Sequence, residues 1–264
     1  MAADSDLIQQ AAAGSASAQL GLVDLAIAAG ASGAVRQIES LIAAETWGRL
    51  AAANGGVDEQ RALVGVLLTR AEFEVTRCSV DGAAWYDGEA RRILKLLVAL
   101  DDADAQRALD ELGEPGETQP AGPDAQELAL LSAAAQGDIY ALDSLSEQAM
   151  SLFYSGAANA LEALTVAELY ARLGAASGNS GLMRRLAGVR LKRAELEYRD
   201  GSETLGNDAV ADAAVLLSIM VDCGDASVAP WLQFLANDAP MSALEGAVRH
   251  RPTILKFIEP KGTC

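Results

Sequence analysis

Four apolar, helix-periodic segments of this chain end on the same kind of small-residue break, and the spacing of the breaks limits what the chain can fold into. The breaks are Ala52-Ala53-Asn54-Gly55, Ala134-Ala135-Gln136-Gly137, Ala175-Ala176-Ser177-Gly178 and Val221-Asp222-Cys223-Gly224. Glycine closes a helix there because it enters the left-handed region without a Cβ penalty. The four glycines lie 82, 41 and 46 residues apart. Since 82 is twice 41, a weakened copy is expected near Ala99-Leu100-Asp101-Asp102. A recurrence of this length is the mark of stacked two-helix repeats, none of which can bury its apolar face alone.

The clearest copy runs from Leu161 to Gly201. Its first helix places Leu161, Leu164, Val166, Leu169, Tyr170 and Leu173 near the i, i+3, i+4, i+7 spacing of one buried stripe. Its second carries Met183, Ala187, Leu191, Ala194 and Tyr198 on one face, and Gly201 ends it. An aromatic-x-x-Gly ending also occurs twice, at Phe153–Gly156 and Tyr198–Gly201.

Trp47-Gly48-Arg49-Leu50-Ala51-Ala52-Ala53-Asn54-Gly55 and Tyr170-Ala171-Arg172-Leu173-Gly174-Ala175-Ala176-Ser177-Gly178 resemble the second helix of a Sel1-like repeat, a branch of the tetratricopeptide (TPR) superfamily. Ala194-Glu195-Leu196-Glu197-Tyr198-Arg199-Asp200-Gly201 resembles the end of the first helix, with Leu-Glu where the family has Leu-Gly. The resemblance spans about Ser15 to Asp238. It implies an all-α, right-handed α-α solenoid of antiparallel helix pairs that acts as a scaffold, with no reaction attached.

Composition agrees with all-α. Alanine supplies 54 of 264 residues, aromatics make up 5%, and no run of alternating β-branched residues stands out. The net charge of −17 opposes a phosphate backbone and an anionic membrane surface, so neither nucleic acid nor membrane is expected as a partner. No basic leader with a long apolar run opens the chain, and the best apolar run, Ala209 to Val221, is interrupted by Asp212. Three scattered cysteines, Cys78, Cys223 and Cys264, fit a reducing compartment, with Cys223 read as a small helix-end residue. Together these point to the cytoplasm.

Helices are expected over about 4–29 (one, or two short ones divided near Gly14-Ser15), 34–54, 57–78, 83–101 and 102–112, then over 124–136, 139–155, 158–177, 181–200, 207–223 and 226–237, with a short one after Pro240 to about Val248. Pro115, Pro120 and Pro123 make 112–126 a linker. The expected domains are therefore helical repeats at 1–111, the linker at 112–126, further repeats at 127–248, and an apolar, basic tail at 249–264. The tail is expected to cap the last helices, or alternatively to add a strand to a partner's sheet.

The candidate partner-binding residues lie on the helix at 181–200. Its six basic residues include Arg184, Arg185, Lys192 and Arg199, and three of these, Arg185, Lys192 and Arg199, follow a seven-residue spacing along one face. Such a strip suits an acidic peptide, a carboxylate or a phosphate, or else pairs with the chain's own acids. The expected function is a non-catalytic adaptor that takes a partner protein in this groove. Alternatives are a structural subunit docked by the tail, and an all-α enzyme working through carboxylates.

No phosphate loop, dinucleotide fingerprint or nucleophile elbow occurs, and no cofactor or metal site is expected. The single histidine, His250, is expected at the surface. Trp85-Tyr86 is expected to anchor a helix start in the core, and Asp101, Asp102 and Asp104 to mark a helix junction.

Overall fold

The computed structural model describes residues 2–113 and 123–258, and every regular element among them is helical. The first six helices are α1 (Ala2–Ala12), α2 (Ala16–Ala31), α3 (Gln37–Ala53), α4 (Val57–Thr76), α5 (Val80–Val98) and α6 (Ala103–Leu112). Next come α7 (Ala125–Ala135), α8 (Ile139–Ser155), α9 (Ala160–Ala176), α10 (Ser180–Arg199) and α11 (Glu203–Asp222). A 3-10 turn at Ala226–Val228 leads into α12 (Ala229–Asp238), and α13 (Met241–Ile258) ends the described chain.

The second set repeats the first at a constant shift. Moving α1, α3 and α4 by 123 residues reproduces the bounds of α7, α9 and α10. The left-handed residues after the helices shift identically: Gly14, Gly33, Gly55, Cys78 and Asp101 answer to Gly137, Gly156, Gly178, Gly201 and Gly224. At this offset about one residue in three is identical without a gap, and the match is densest between Arg61–Glu74 and Arg184–Glu197. The 41- and 46-residue spacings are the two helix pairs inside each copy. Asp101 stands in the left-handed region where a weakened break is expected, with φ 63°.

The chain forms two compact units, one of Ser15–Gln136 and one of Met1–Gly14 with Gly137–Cys264. In the first, α2 to α6 each pack on the next, and α7 lies on α3. Leu63, Leu67, Ala90, Leu94 and Leu97 fill its core between α4 and α5. The buried Gln19 side chain donates to the Ala135 carbonyl at 2.9 Å, which satisfies one of the last acceptors of α7.

In the second unit α8 to α11 stack in the same way, and α1 lies on α9 as α7 lies on α3. Each unit thus takes that helix from the other repeat. The domain boundaries expected from the linker do not coincide with these units, which change over at Gly14 and Gly137. Of the linker-like stretch, Leu112 ends α6, Ala125 opens α7, and 114–122 lie outside the described residues.

Three expectations change in part. Residues 249–258 pack over α11, as the cap reading has it, but they do so as helix α13, which runs through Pro252 and buries Ile254 and Ile258, and not as a strand. The amide that Pro252 lacks would have bonded the carbonyl of exposed Val248, which water can reach, so the interruption is tolerated. Residues 259–264 lie outside the described residues. Cys78 is free and exposed, whereas Cys223 is disulfide-bonded rather than a simple helix-end thiol. Lastly, α11 is long and apolar enough to span a bilayer, yet 61% of that window is buried inside the protein, as in a core helix.

Helix starts follow the sequence closely. Asp102 caps α6 through the Asp104 and Ala105 amides and also binds Arg61 at 2.8 Å. Its counterpart Asp225 caps the 3-10 turn and binds Arg184 at 2.8 Å. The Arg61 hydrogen bond, with help from the backbone amides, holds the Asp102 carboxyl at about 2 against an ordinary 3.8. A depressed folded-state value means that the ion pair contributes fully above about pH 4 and is lost as pH falls towards 2. Asp102→Asn keeps a competent cap and removes the charge. Its destabilisation relative to wild type should therefore shrink over that window when thermal unfolding is followed against pH.

Candidate functional site

The helix singled out by its charge, α10, sits in the middle of its unit, packed between α9 and α11. Its inner face is set by Leu182, Leu186, Val189 and Leu196. The basic side chains leave it in several directions, and each meets an acid of the same unit.

Arg184 donates to Asp225 and to Ser227 Oγ, both at 2.8 Å. Arg61 holds Asp102 in the same way in the other repeat, so Arg184 is a structural clamp on the turn after α11. Arg190 bridges Glu168 at 2.9 Å and Asp212 at 3.2 Å. Arg193 is buried on Glu197 at 2.7 Å and reaches Thr165 Oγ1 at 3.3 Å. Arg199, at the helix end, is exposed and, among the described residues, has only Asp200 at 3.7 Å.

Arg185 and Lys192 remain on one open side. Arg185 Nε donates to Asp143 Oδ1 at 2.6 Å, and Lys192 Nζ donates to both oxygens of Glu195 at 2.8 and 2.9 Å. The Glu195 bonds hold the Lys192 ammonium above its ordinary 10.5, so it stays charged at neutral pH. Of the four predicted residues, these two share one surface recess. The strip is thus largely paired with the chain's own acids, the second of the two readings offered for it.

That recess is a groove of about 430 Å³ lined by Met150 and Tyr154 of α8, Arg185, Gly188 and Lys192 of α10, and Trp231 of α12. Tyr154 and Trp231 are 66% and 51% exposed, although aromatic rings of this size usually sit inside. Gly188 leaves the floor open, since a Cβ there would meet nothing within 4 Å. The aromatic members were not legible as site residues from periodicity alone. The signal that marks them is the 123-residue offset, where Tyr154, Arg185, Lys192 and Trp231 face Ala31, Ala62, Thr69 and Ala108.

A second recess, of about 290 Å³, lies among Arg172, Arg190, Asp212 and His250. His250 is not a lone surface residue, because its Nδ1 lies 2.8 Å from Asp212 Oδ1. The other repeat pairs Arg49, at the place of Arg172, with Glu45 at 2.9 Å and Glu89 at 2.7 Å, at the places of Glu168 and Asp212. These three positions are charged in both copies, whereas the 123-residue offset carries Arg190 and His250 onto Leu67 and Glu127. Trp85 and Tyr86 divide: Tyr86 is buried, while Trp85 is 40% exposed and so does not anchor the core. No family model matches the chain, and neither a curated protein nor a solved structure matches it.

Proposed function

We propose that this protein is a non-catalytic helical-repeat scaffold, a Sel1-like or TPR-like α-α solenoid in the terms of the resemblance above, that takes a partner protein in the groove between α8, α10 and α12. One observation carries the reading. The first repeat builds the same helices with Ala31, Ala62, Thr69 and Ala108, so the fold does not need Tyr154, Arg185, Lys192 and Trp231. Two exposed aromatic rings flanking a shallow apolar floor, with cations at the rim, form the kind of patch that concentrates binding energy in a few side chains. An aliphatic or aromatic side chain of the partner would enter over Gly188, and an adjacent carboxylate would exchange with Glu195 on Lys192.

The alternative of a subunit docked by its tail has less support, because residues 249–258 pack within their own unit as α13. A cytoplasmic setting belongs to the same proposal, and the bond at Cys223 is the feature that weighs against it.

The test is affinity capture from the native organism with wild type, Trp231→Ala and Gly188→Leu, read by quantitative mass spectrometry. Gly188→Leu fills the groove and, in a helix interior, is expected to gain up to about 1 kcal/mol of propensity, so lost binding would not reflect unfolding. A stoichiometric partner reduced at least about tenfold by both substitutions is the expected outcome. A partner retained by both would remove the groove from the reading.

A further inference from the structure

The two repeats are not equally covered. In the second, α13 lies along α11: Gly246 approaches the Ala211 Cβ, His250 meets Asp212, and Arg251 reaches Ser218 at 2.7 Å and Asp222 at 2.5 Å. Under it Ala211, Val215 and Ile219 are buried, the last two to 2% and 6% exposure. The 123-residue offset carries these three onto Gly88, Arg92 and Leu96 of α5. There Leu96 is 54% exposed, and Leu100, in the turn after α5, is 66% exposed. Helix α5 packs on α4 and α6, and among the described residues no helix of its unit lies along it as α13 lies along α11.

The bare face is a continuous stripe. Trp85, Gly88, Arg92, Lys95 and Leu96 follow helical spacing, and Arg49 lies beneath the Trp85 ring at 5.7 Å. Its charge is the reverse of the face under α13. There α11 offers Asp208, Asp212 and Asp222 to His250 and Arg251. On α5 the matching acid, Glu89, is buried and already paired with Arg49 at 2.7 Å. Around Gly88 and Leu96 the charged groups that face outward are Arg92 and Lys95, with exposed Asp81 farther along the stripe in the first turn of α5. Arg92 reaches Glu89 only at 3.5 Å, its Nε has no hydrogen-bond partner among the described residues, and Lys95 makes no ion pair among them.

We infer that this face of α5 is a docking surface for an acidic amphipathic helix of a partner protein, seated on the first repeat where α13 sits on the second. Small and aliphatic residues of that helix would lie over Gly88 and Leu96, against the Trp85 ring. Aspartate or glutamate beside them would pair with Arg92 and Lys95. Helix α13 of a second copy is the wrong occupant, because Arg251 and Lys256 would bring like charge onto Arg92 and Lys95. The surface lies on the other unit from the α8–α10–α12 groove and stands independently of it.

The probe is a synthetic peptide with the sequence of 241–258 in which Arg249, His250, Arg251 and Lys256 are replaced by glutamate and Pro252 by alanine. The unaltered 241–258 peptide is the charge control. Binding to the full chain is measured by calorimetry and by hydrogen exchange along α5. The acidic peptide is expected to bind and to protect α5, while the basic one does not bind. Arg92→Glu with Lys95→Glu, and separately Leu96→Glu, should each weaken binding at least about tenfold, whereas Trp231→Ala should leave it unchanged. Failure of the acidic peptide to bind at millimolar concentration would overturn the inference, as would binding indifferent to these substitutions. A dimer of the full chain that Leu96→Glu converts to monomer would also overturn it, by assigning the face to a second copy.

Discussion

Glu197→Ala is expected to be among the most destabilising single substitutions in this protein. Glu197 is 1% exposed, and its carboxylate accepts from Arg193 Nε at 2.7 Å inside the α9–α10 packing. Removing it strips a buried guanidinium of a hydrogen-bonded acid, and the Thr165 Oγ1 contact at 3.3 Å is neutral. Breaking a buried pair in this way typically costs about 3–5 kcal/mol, whereas replacing both members by apolar groups of similar volume is close to neutral. Glu197→Ala should therefore lower the melting temperature by about 10 °C, while Arg193→Met with Glu197→Leu should recover most of the loss. Hydrogen exchange would place the loss in the unit containing α8–α13. The matched pair, Arg70 and Glu74 at 3.4 Å, predicts the same for Glu74→Ala in the other unit.

Gly137→Ala should cost more than Gly55→Ala although both glycines sit at φ 85°. Each substitution pays about 1–2 kcal/mol for a Cβ in the left-handed region. At Gly55 the new methyl meets nothing within 4 Å, but at Gly137 it would stand 2.5 Å from the Ala12 carbonyl oxygen at the end of α1. Backbone cannot step aside as a flexible side chain can, so Gly137→Ala is expected to lose about 2–4 kcal/mol in denaturant unfolding. The difference between the two variants measures how firmly α1 is held in the unit with α8–α13. Equal losses would show that α1 yields easily.

The two repeats act as internal controls for one another. Features present in both, such as the Arg61–Asp102 and Arg184–Asp225 clamps or the two buried Arg–Glu pairs, are accounted for by the shared fold. Features present in one alone need another reason. The Tyr154–Trp231 groove and the uncovered α5 stripe are of that second kind, and for that reason they carry the functional proposals.

Much of this architecture was legible in the residues themselves. Helical content, the breaks at Gly55, Gly137, Gly178 and Gly224, and the cap at Asp102 follow from local propensity, glycine's access to the left-handed region and short-range hydrogen bonds. These are properties of a few consecutive residues, so sequence determines them. Pairing and coverage were not legible. That Arg184 serves a structural turn while Lys192 rims a groove depends on which helix lies opposite. That Ile219 is buried while Leu96 is bare depends on α13, which was expected to end near Val248. That α1 joins α9 rather than its sequence neighbours depends on contacts far along the chain. Burial and ion pairing gain their energy from such distant partners, and only the tertiary structure decides who those partners are.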